Sequence, residues 1–243
     1  MRGNLVGNCS CGMMVLRTNT TIEGNFVGID RSGNGVVPIN GPGIFTLPSA
    51  TFSVIRDNVI ASCMQALQHH AHSCTIQGNR IGTESAGLVT RGNGDGIVVS
   101  VESYGNLIGG PHPHHANIVS GNTFSGLVIA GSENMVQNNY IGTDAVVSFA
   151  IPNLLSGVRN SGRGNIFLDN VISGNGGRGM YLMPGTANVT VQGCLIGASR
   201  SGNATIGNVL EGLVMVATEN TLVGGLNVVR PTLPRETAVT ALF

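Results

Sequence analysis

The sequence predicts an all-β solenoid, and three observations support that prediction. A seven-residue phrase occurs four times, at spacings of 54, 60 and 55 residues, as Ile22–Gly28, Ile76–Gly82, Val136–Gly142 and Val191–Gly197. Between these phrases, a small residue followed by a short apolar run occurs at eight places. No apolar pattern with the period of a helix is sustained, and the apolar residues instead form short β-branched runs bounded by Gly and Asn. Spacing this regular indicates stacked coils, with about two coils per phrase.

The small residues before the apolar runs mark where each coil begins. They are Gly12, Gly43, Ala66, Gly96, Gly126, Gly157, Gly179 and Gly212. Their separations of 22 to 33 residues suit three short strands and three turns per coil. We therefore expect a first strand after each marker, then a second strand, and a third strand in the phrase. About eight coils stacked at roughly 4.8 Å give a rod core roughly 40 Å long.

The composition limits which residues can form the core and which partners the chain can bind. Gly supplies 37 of the 243 residues, Trp is absent and aromatic residues make up only 4%, so the core must consist of Ile, Val and Leu. Twelve acidic residues balance twelve basic ones, all of them Arg. Zero net charge without a basic run argues against nucleic acid or an anionic membrane surface as partner. No apolar run is long enough for a transmembrane segment, and no signal peptide is visible at the start.

Recurrent Asn residues are expected at the coil corners. We assign Asn25, Asn79, Asn122, Asn139 and Asn175 to one corner, and Asn19, Asn134 and Asn188 to another. Asn tolerates a sharp bend, and its amide can bond the Asn of the next coil to form a ladder. The five Cys form no CxxC pair or regular framework, so we expect small buried hydrophobes. Cys194 occupies a ladder position, which favours a packing role.

Three segments resemble a known class of repeat proteins. Asn106–Gly110, Asn117–Asn122 and Tyr140–Asp144 are similar to the NxIGG, NxISGN and NxIGTD repeats of pectin-lyase-like proteins. The resemblance extends over about residues 4 to 225. It implies a right-handed parallel β-helix, a single-stranded solenoid of about eight coils. That class contains polysaccharide lyases, hydrolases, C5-epimerases and non-catalytic surface proteins, so the fold does not determine the function.

The repeats are predicted to occupy residues 1–225, beginning inside a repeat, and residues 226–243 are predicted to be a C-terminal cap or tail. Pro231 and Pro234 cannot donate to a strand ladder, which ends the pattern there. Because the first residues already match a coil, we expect a larger parent chain with further repeats, or a trimmed leader.

The outward side chains of the first strands give the candidate site. They lie two residues after each marker, in the column Met14, Phe45, Gln68, Val98, Val128, Arg159, Tyr181 and Val214. Arg159 and Tyr181 fall on adjacent coils, where Arg159 can neutralise a carboxylate and Tyr181 can stack on a sugar or move a proton. They are the candidate catalytic pair, and with Phe45 and Gln68 the candidate substrate-binding residues. The alternative is a mixed, solvated face.

Acidic residues elsewhere favour structural roles. Asp95 and Glu211 lie four coils apart, about 19 Å, which is too far for the carboxylate pair of a glycoside hydrolase. Arg178 and Glu211 are neighbours and are interpreted as a surface ion pair. Asp30, Glu84, Asp144 and Ser199 occupy matching positions after the repeated phrase. We expect them to cap turns, with a row of weak calcium sites as the alternative.

The six His form two clusters, His69-His70-x-His72 and His112-x-His114-His115. His69, His72, His112 and His114 are candidate ligands for zinc or copper. The competing interpretation is exposed loop histidine without a metal. We predict no cofactor, with calcium as the one possible exception.

We predict a non-catalytic extracellular or cell-surface module that binds or spaces polysaccharide, because no outward face collects the groups that a reaction needs. The alternative is a polysaccharide-active enzyme, a lyase, C5-epimerase or glycoside hydrolase, that uses Arg159, Tyr181 and the His loops. A third possibility is a fragment whose active coils belong to another part of the parent chain.

Overall fold

The chain forms a right-handed parallel β-helix of eight coils, as the sequence predicts. The computed structural model describes residues 2–33 and 35–225. Its 24 short strands form three parallel sheets of eight strands each. Each coil contributes one strand to each sheet. We number the sheets so that the first, second and third predicted strands of a coil lie in sheets 1, 2 and 3. The predicted tail, residues 226–243, lies outside the described residues.

Strands are numbered in chain order. Sheet 1 contains β2 (Met13–Val15), β5 (Ile39–Thr46), β8 (Cys63–His69), β11 (Asp95–Val99), β14 (Leu127–Ile129), β17 (Val158–Asn160), β20 (Met180–Leu182) and β23 (Leu213–Met215). Sheet 2 contains β3 (Thr21–Glu23), β6 (Val54–Arg56), β9 (Thr75–Gln77), β12 (Leu107–Gly109), β15 (Met135–Gln137), β18 (Ile166–Leu168), β21 (Thr190–Gln192) and β24 (Leu222–Val223). Sheet 3 contains β1 (Leu5–Val6), β4 (Phe26–Val27), β7 (Val59–Ile60), β10 (Arg80–Ile81), β13 (Ile118–Val119), β16 (Tyr140–Ile141), β19 (Val171–Ile172) and β22 (Leu195–Ile196). One short 3-10 helix covers Pro113–His115.

The core consists of columns of aliphatic side chains that point into the rod from all three sheets. In the coil that starts at Gly96, Ile97 of sheet 1, Ile108 of sheet 2 and Val119 of sheet 3 are completely buried. Each stacks on its counterpart in the coils above and below, for example Ile97 on Leu127. Burying one such side chain stabilises the fold by about 1.5 to 3 kcal/mol. The core therefore needs no large aromatic cluster, in agreement with the composition.

The corner between sheet 2 and sheet 3 explains the Gly-Asn of the repeated phrase. The first corner residue has a left-handed backbone, as at Gly78 with φ 64°, and the second is a buried Asn. The side-chain amide of Asn79 donates to Asn117 at 2.9 Å, and that of Asn117 donates to Asn139 at 2.9 Å. These bonds satisfy polar groups that the sharp corner would otherwise leave unpaired in the interior.

Two further Asn ladders occupy the other corners, and they correct the predicted assignment. Asn122 and Asn175 belong to the corner between sheet 3 and sheet 1, not to the corner of Asn25, Asn79 and Asn139. That ladder contains Asn93, Asn122, Asn153, Asn175 and Asn208. The ladder between sheet 1 and sheet 2 contains Asn106, Asn134 and Asn165.

The prediction that Asn19 and Asn188 join the ladder of Asn134 is wrong. Both are exposed and have left-handed backbones, each with φ 56°. They stand one position earlier in the corner, where Glu133 precedes Asn134 with φ 57°. The same residue type therefore serves two adjacent corner positions for different reasons, since Asn both tolerates the left-handed region and supplies a ladder amide.

Every second coil carries a loop that folds over the outer face of sheet 3. The loops cover 29–36, 83–90, 143–150 and 198–205, and an antiparallel bridge closes each one. Val147 and Ile206, from or beside two of these loops, pack with Tyr140 of the sheet in one buried cluster. Successive loops also touch, since Ala145 donates its backbone N–H to the Gly87 carbonyl at 3.1 Å. The outer face of sheet 3 is thus a second, smaller core.

The predicted capping role is confirmed for Asp144 and Glu84. The Asp144 carboxylate accepts backbone N–H groups of Val146, Ser148 and Phe149. Glu84 accepts the equivalent three from Ala86, Leu88 and Val89. Burial raises the pKa of Glu84, but these donors outweigh it, and the net shift is downward. In the fourth loop the Ser199 hydroxyl accepts the Ala204 N–H at 3.2 Å.

No helix in the described residues is long and apolar enough to cross a membrane.

Candidate functional site

The outer face of sheet 1 is left uncovered, unlike that of sheet 3. Its outward column has the predicted composition and register: Met14, Phe45, Gln68, Val98, Val128, Arg159, Tyr181 and Val214 pair in sequence along the sheet. Met14 is 47% exposed, and the other seven are half-buried. A row of accessible side chains thus runs along the rod, spaced at about 4.8 Å.

Arg159 and Tyr181 are direct cross-strand neighbours on β17 and β20. A second guanidinium joins them, because Arg178 lies over the Tyr181 ring with 5.2 Å between its central carbon and the ring centroid. Arg178 also forms the predicted ion pair with Glu211, at 3.0 Å between Nε and Oε2. Tyr181 is therefore held from one side by a cation that is itself anchored.

Two glycines in the corner between sheet 3 and sheet 1 leave space for a shallow pocket beside Arg159, Arg178 and Tyr181. The two residues after the ladder Asn are Thr123-Phe124, Leu154-Leu155 and Val209-Leu210 in three coils, but Gly176-Gly177 in the coil of Tyr181. A Cβ on Gly177 would lie 2.7 Å from the Leu155 carbonyl oxygen, so the close backbone approach requires glycine. The resulting pocket of about 260 Å³ is lined by Leu155, Ser156, Arg159, Gly177, Arg178, Tyr181 and Leu210.

The chemistry of this pocket favours an anionic ligand with an apolar face. Arg159 and Arg178 offer planar donors that match the two oxygens of a carboxylate. Tyr181 and Leu210 offer surfaces for the C–H face of a ring. Ion pairing with Glu211 satisfies part of Arg178, which leaves Arg159 as the less neutralised cation of the pocket.

The structure divides the four predicted substrate-binding residues into two groups. Phe45 and Gln68 are cross-strand neighbours near the start of the sheet. His70 joins them, with its ring edge-on to Phe45 at 5.2 Å and its Nε2 3.3 Å from the Gln68 amide nitrogen. Gln68 and Arg159 are three strands apart, which corresponds to about 14 Å. Valines fill the interval, so the groups can contact one extended ligand but not one sugar ring.

His69 corrects the expectation that these histidines lie in exposed loops. It is the last residue of β8 and is completely buried. Its Nδ1 lies 2.8 Å from the Thr46 hydroxyl and its Nε2 lies 3.1 Å from the Asn106 amide oxygen. Burial lowers the pKa of His69 to about 4, against the opposing effect of the Asn106 hydrogen bond. His69 thus ends an Asn ladder, and both ring nitrogens are occupied by protein groups.

The remaining histidines do not form one common site. His72 stacks on Tyr104 at 4.5 Å between ring centroids. His112 and His114 are exposed and contact His115, at 5.1 and 4.3 Å between centroids. Burial and the two neighbouring imidazoles lower the pKa of His115. Within residues 2–33 and 35–225, no three His, Cys, Asp or Glu side chains are arranged to hold a metal ion.

The described Cys and Asp residues add no reactive group to the sheet 1 face. All five thiols are free; Cys63 and Cys74 are buried, as expected for packing residues, whereas Cys9, Cys11 and Cys194 are half-buried. Burial raises the pKa of Cys63 to about 12 and that of Cys194 to about 11, so these thiols stay protonated. Asp95 accepts the Ser125 backbone N–H at 3.0 Å, and its strand lies four strands from that of Glu211, as predicted.

Sequence reasoning missed two parts of the pocket. Arg178 was assigned only to its ion pair, although it also covers the Tyr181 ring. Gly176-Gly177 was not recognised as an opening. A signal existed, because these two glycines replace the bulkier pairs found at the same corner in other coils.

Solved structures with this fold are known, but the sequence matches neither a protein-family model nor a curated protein. A double mutant of the periplasmic alginate epimerase AlgG is similar over 90% of this chain and 48% of its own, with 14% identity and a TM-score of 0.63. The A-module of the Azotobacter vinelandii mannuronan C-5 epimerase AlgE6 is similar over 86% of this chain and 59% of its own, with 16% identity and a TM-score of 0.55. The AlgE4 A-module of the same organism covers 86% and 54%, with 17% identity and a TM-score of 0.55. The chain thus spans about half the length of these structures, and the similarity shows the fold.

Proposed function

We propose that the chain is a non-catalytic, extracellular or cell-surface β-helix module that binds an acidic polysaccharide along the outer face of sheet 1. One observation carries the proposal: Arg159, Arg178 and Tyr181 converge in an open pocket on the row of accessible side chains along sheet 1. Arg159 and Arg178 hold a sugar carboxylate, and Tyr181 packs on the ring. Phe45 and Gln68 contact the same polymer about four coils away.

We infer that no turnover takes place, because the nearby acid and the buried histidine are already engaged within the protein. Glu211, the acid next to the pocket, is engaged by Arg178. His69 has both ring nitrogens bonded within the protein, and its strand is three strands away from that of Arg159. Proton abstraction from a sugar needs a base within hydrogen-bond reach of the reacting carbon, with a second group to return the proton.

An enzyme of the lyase or C5-epimerase type is the second candidate, and a specific observation favours it. The solved structures reported above are alginate epimerases by name. In such a reaction Arg159 would neutralise the carboxylate and the Tyr181 hydroxyl would carry the proton.

The test is a proton NMR time course of the full chain with alginate, pectate and a neutral glucan, with and without calcium, alongside calorimetric titration. We expect alginate or pectate to bind without new unsaturated, reducing-end or epimerised signals. Arg159→Ala should weaken binding at least about tenfold, since a charge-assisted bond contributes about 1.5 to 3 kcal/mol. Arg163→Ala is the matched control, because Arg163 is an exposed arginine at a different corner of the same coil.

Growth of a product signal that disappears in Tyr181→Phe would replace the binding module by the enzyme. Equal losses in Arg159→Ala and Arg163→Ala would reduce the site to non-specific charge attraction. Binding of the neutral glucan as tightly as alginate would refute the role assigned to the two guanidiniums.

A further inference from the structure

We propose that the edge between sheet 3 and sheet 1 is a homodimer interface, through which two copies of this chain associate. The edge carries a groove of about 570 Å³ between the loops 83–90 and 143–150. Leu88, Val89, Phe149 and Leu154 line it, and no charged residue is among its described lining residues. This inference does not rest on the polysaccharide proposal, although Leu154 and Val209 directly precede Leu155 and Leu210 of the Arg159 pocket.

The exposure of these side chains is the first argument. Leu88 is 46% exposed, Val89 48%, Phe149 48% and Leu154 58%. Val209, in the same corner column as Leu154, is 74% exposed. These five side chains lie along one edge of the rod, and Thr90 and Thr123 are the polar residues that line the groove. An exposed apolar surface of this size marks an interaction site more often than a solvated face.

The size of the surface fits a second copy. Large apolar side chains bury on the order of 150 to 250 Å² each, so five that are about half exposed present about 500 Å². A standard interface buries about 800 Å² per partner, and a homodimer interface is about 65% apolar, which again corresponds to about 500 Å². The groove alone is too small for such an interface, but the groove with Val209 and its rim of Thr90, Thr123 and Pro152 reaches it.

The positions of the groove and of Val209 permit the two-fold pairing of a symmetric dimer. The groove lies at the level of the coil of β14, and Val209 protrudes three coils further on, beside β23. A two-fold axis perpendicular to the rod, midway between them, places Val209 of each copy over the groove of the other. The axis passes close to Gly176, whose lack of a side chain allows the two rods to approach.

Electrostatics do not oppose this pairing. The chain has zero formal net charge, so two copies carry no net repulsion at neutral pH. The carboxylates nearest the groove, Glu84 and Asp144, are buried and held by backbone N–H groups of their own loops. They therefore place no unpaired charge in the interface.

The test is sedimentation velocity of the full chain over a concentration range that reaches about 100 µM. We expect a reversible monomer–dimer equilibrium, with a dimer of twice the 25.0 kDa chain mass. Leu154→Asp and Val209→Asp should each raise the dissociation constant at least about tenfold. Their matched controls are Leu16→Asp and Val101→Asp, which have similar exposures, 54% and 74%, and lie at the corner between sheet 1 and sheet 2.

A wild-type chain that stays monomeric at the highest concentration overturns the proposal. So does a dimer that survives both edge variants, or one that the controls dissolve equally well. Hydrogen exchange provides a second readout that does not depend on variants. Dilution below the dissociation constant should remove protection from residues 86–92 and 147–154, and unchanged protection there would also contradict the interface.

Discussion

Sheet 1 and sheet 3 arise from the same coils, yet their outer faces differ. On sheet 3 the outward residues Ile118, Tyr140 and Val171 are at most 8% exposed, because the loops of alternate coils cover them. On sheet 1 seven of the eight outward residues are half-buried, and no loop of the described residues crosses them. The comparison teaches that the loops protect sheet 3, whereas the face of sheet 1 stays available to a long ligand.

The two tyrosines of these faces provide the most severe test of that contrast. Tyr140→Ala removes a buried ring from the cluster on sheet 3 and should lower the free energy of unfolding by about 3 to 4 kcal/mol. Tyr181→Ala removes a half-buried ring on sheet 1 and should cost less than about 1 kcal/mol while abolishing polysaccharide binding. Urea unfolding and calorimetry measure both. Equal losses of stability would show that sheet 1 is as structural as sheet 3.

His69 provides a pH test confined to the sheet 1 side of the rod. Its pKa is about 4 in the folded chain, against an ordinary value of 6.5, so between these pH values the unfolded chain binds more protons. Stability is therefore complete above about pH 6.5 and falls by about 3 kcal/mol as the pH drops to about 4. His69→Asn should flatten this dependence in urea titrations at several pH values. The control His70→Gln should keep it, and an unchanged slope in His69→Asn would contradict the assignment.

A substitution at the corner between sheet 2 and sheet 3 should have a smaller effect and should raise the free energy of unfolding. Cys194 occupies the ladder position that Asn170 holds one coil before, and the Asn170 amide nitrogen lies 3.8 Å from its sulfur. Cys194→Asn supplies a better acceptor and should raise the free energy of unfolding by about 0.5 to 1 kcal/mol. Cys11→Asn, at a position outside the three ladders, is the control and should not stabilise. A lower urea midpoint for Cys194→Asn would show that the half-buried thiol is preferred there.

Substituting Glu211 should have the smallest effect on stability, and it tests whether sheet 1 binds an acidic ligand. Both partners of the Arg178–Glu211 pair are more than a third exposed, so Glu211→Gln should change stability by less than about 0.5 kcal/mol. It frees Arg178, and the affinity for an acidic polysaccharide should rise about threefold. Titration calorimetry compares it with Glu219→Gln, an exposed acid without a place in the pocket. Reduced affinity would mean that the pair positions Arg178 for the ligand.

The fold could be predicted because the regular spacing of the markers and phrases defines the coils. Markers such as Gly96 and Gly126 set the register of sheet 1, and the ladder Asn residues identify the corners. What failed was finer placement: Asn19 and Asn134 look equivalent in a Gly/Asn-rich corner, although one bends the backbone and the other bonds the next coil. His69 could not be distinguished from His70 by composition, because burial depends on which side of the strand each faces.

The site was predictable only in part, for a related reason. Periodicity places Arg159 beside Tyr181 on adjacent strands. It does not say that Arg178, three residues before Tyr181, bends over the ring, or that the missing side chain of Gly177 opens the surface. Both depend on contacts between turns and strands, which follow no repeat.

The loops over sheet 3 also determine how many coils must be added together when such a rod is lengthened. Each loop spans its own coil and the loopless coil beside it, and Gly87 meets Ala145 across that interval. The natural unit of duplication is therefore a pair of coils, as the spacing of 54 to 60 residues between phrases already implies. Inserting a single coil would either bring two loops together over one strand or separate them and uncover sheet 3. Lengthened versions of this chain should be built from coil pairs.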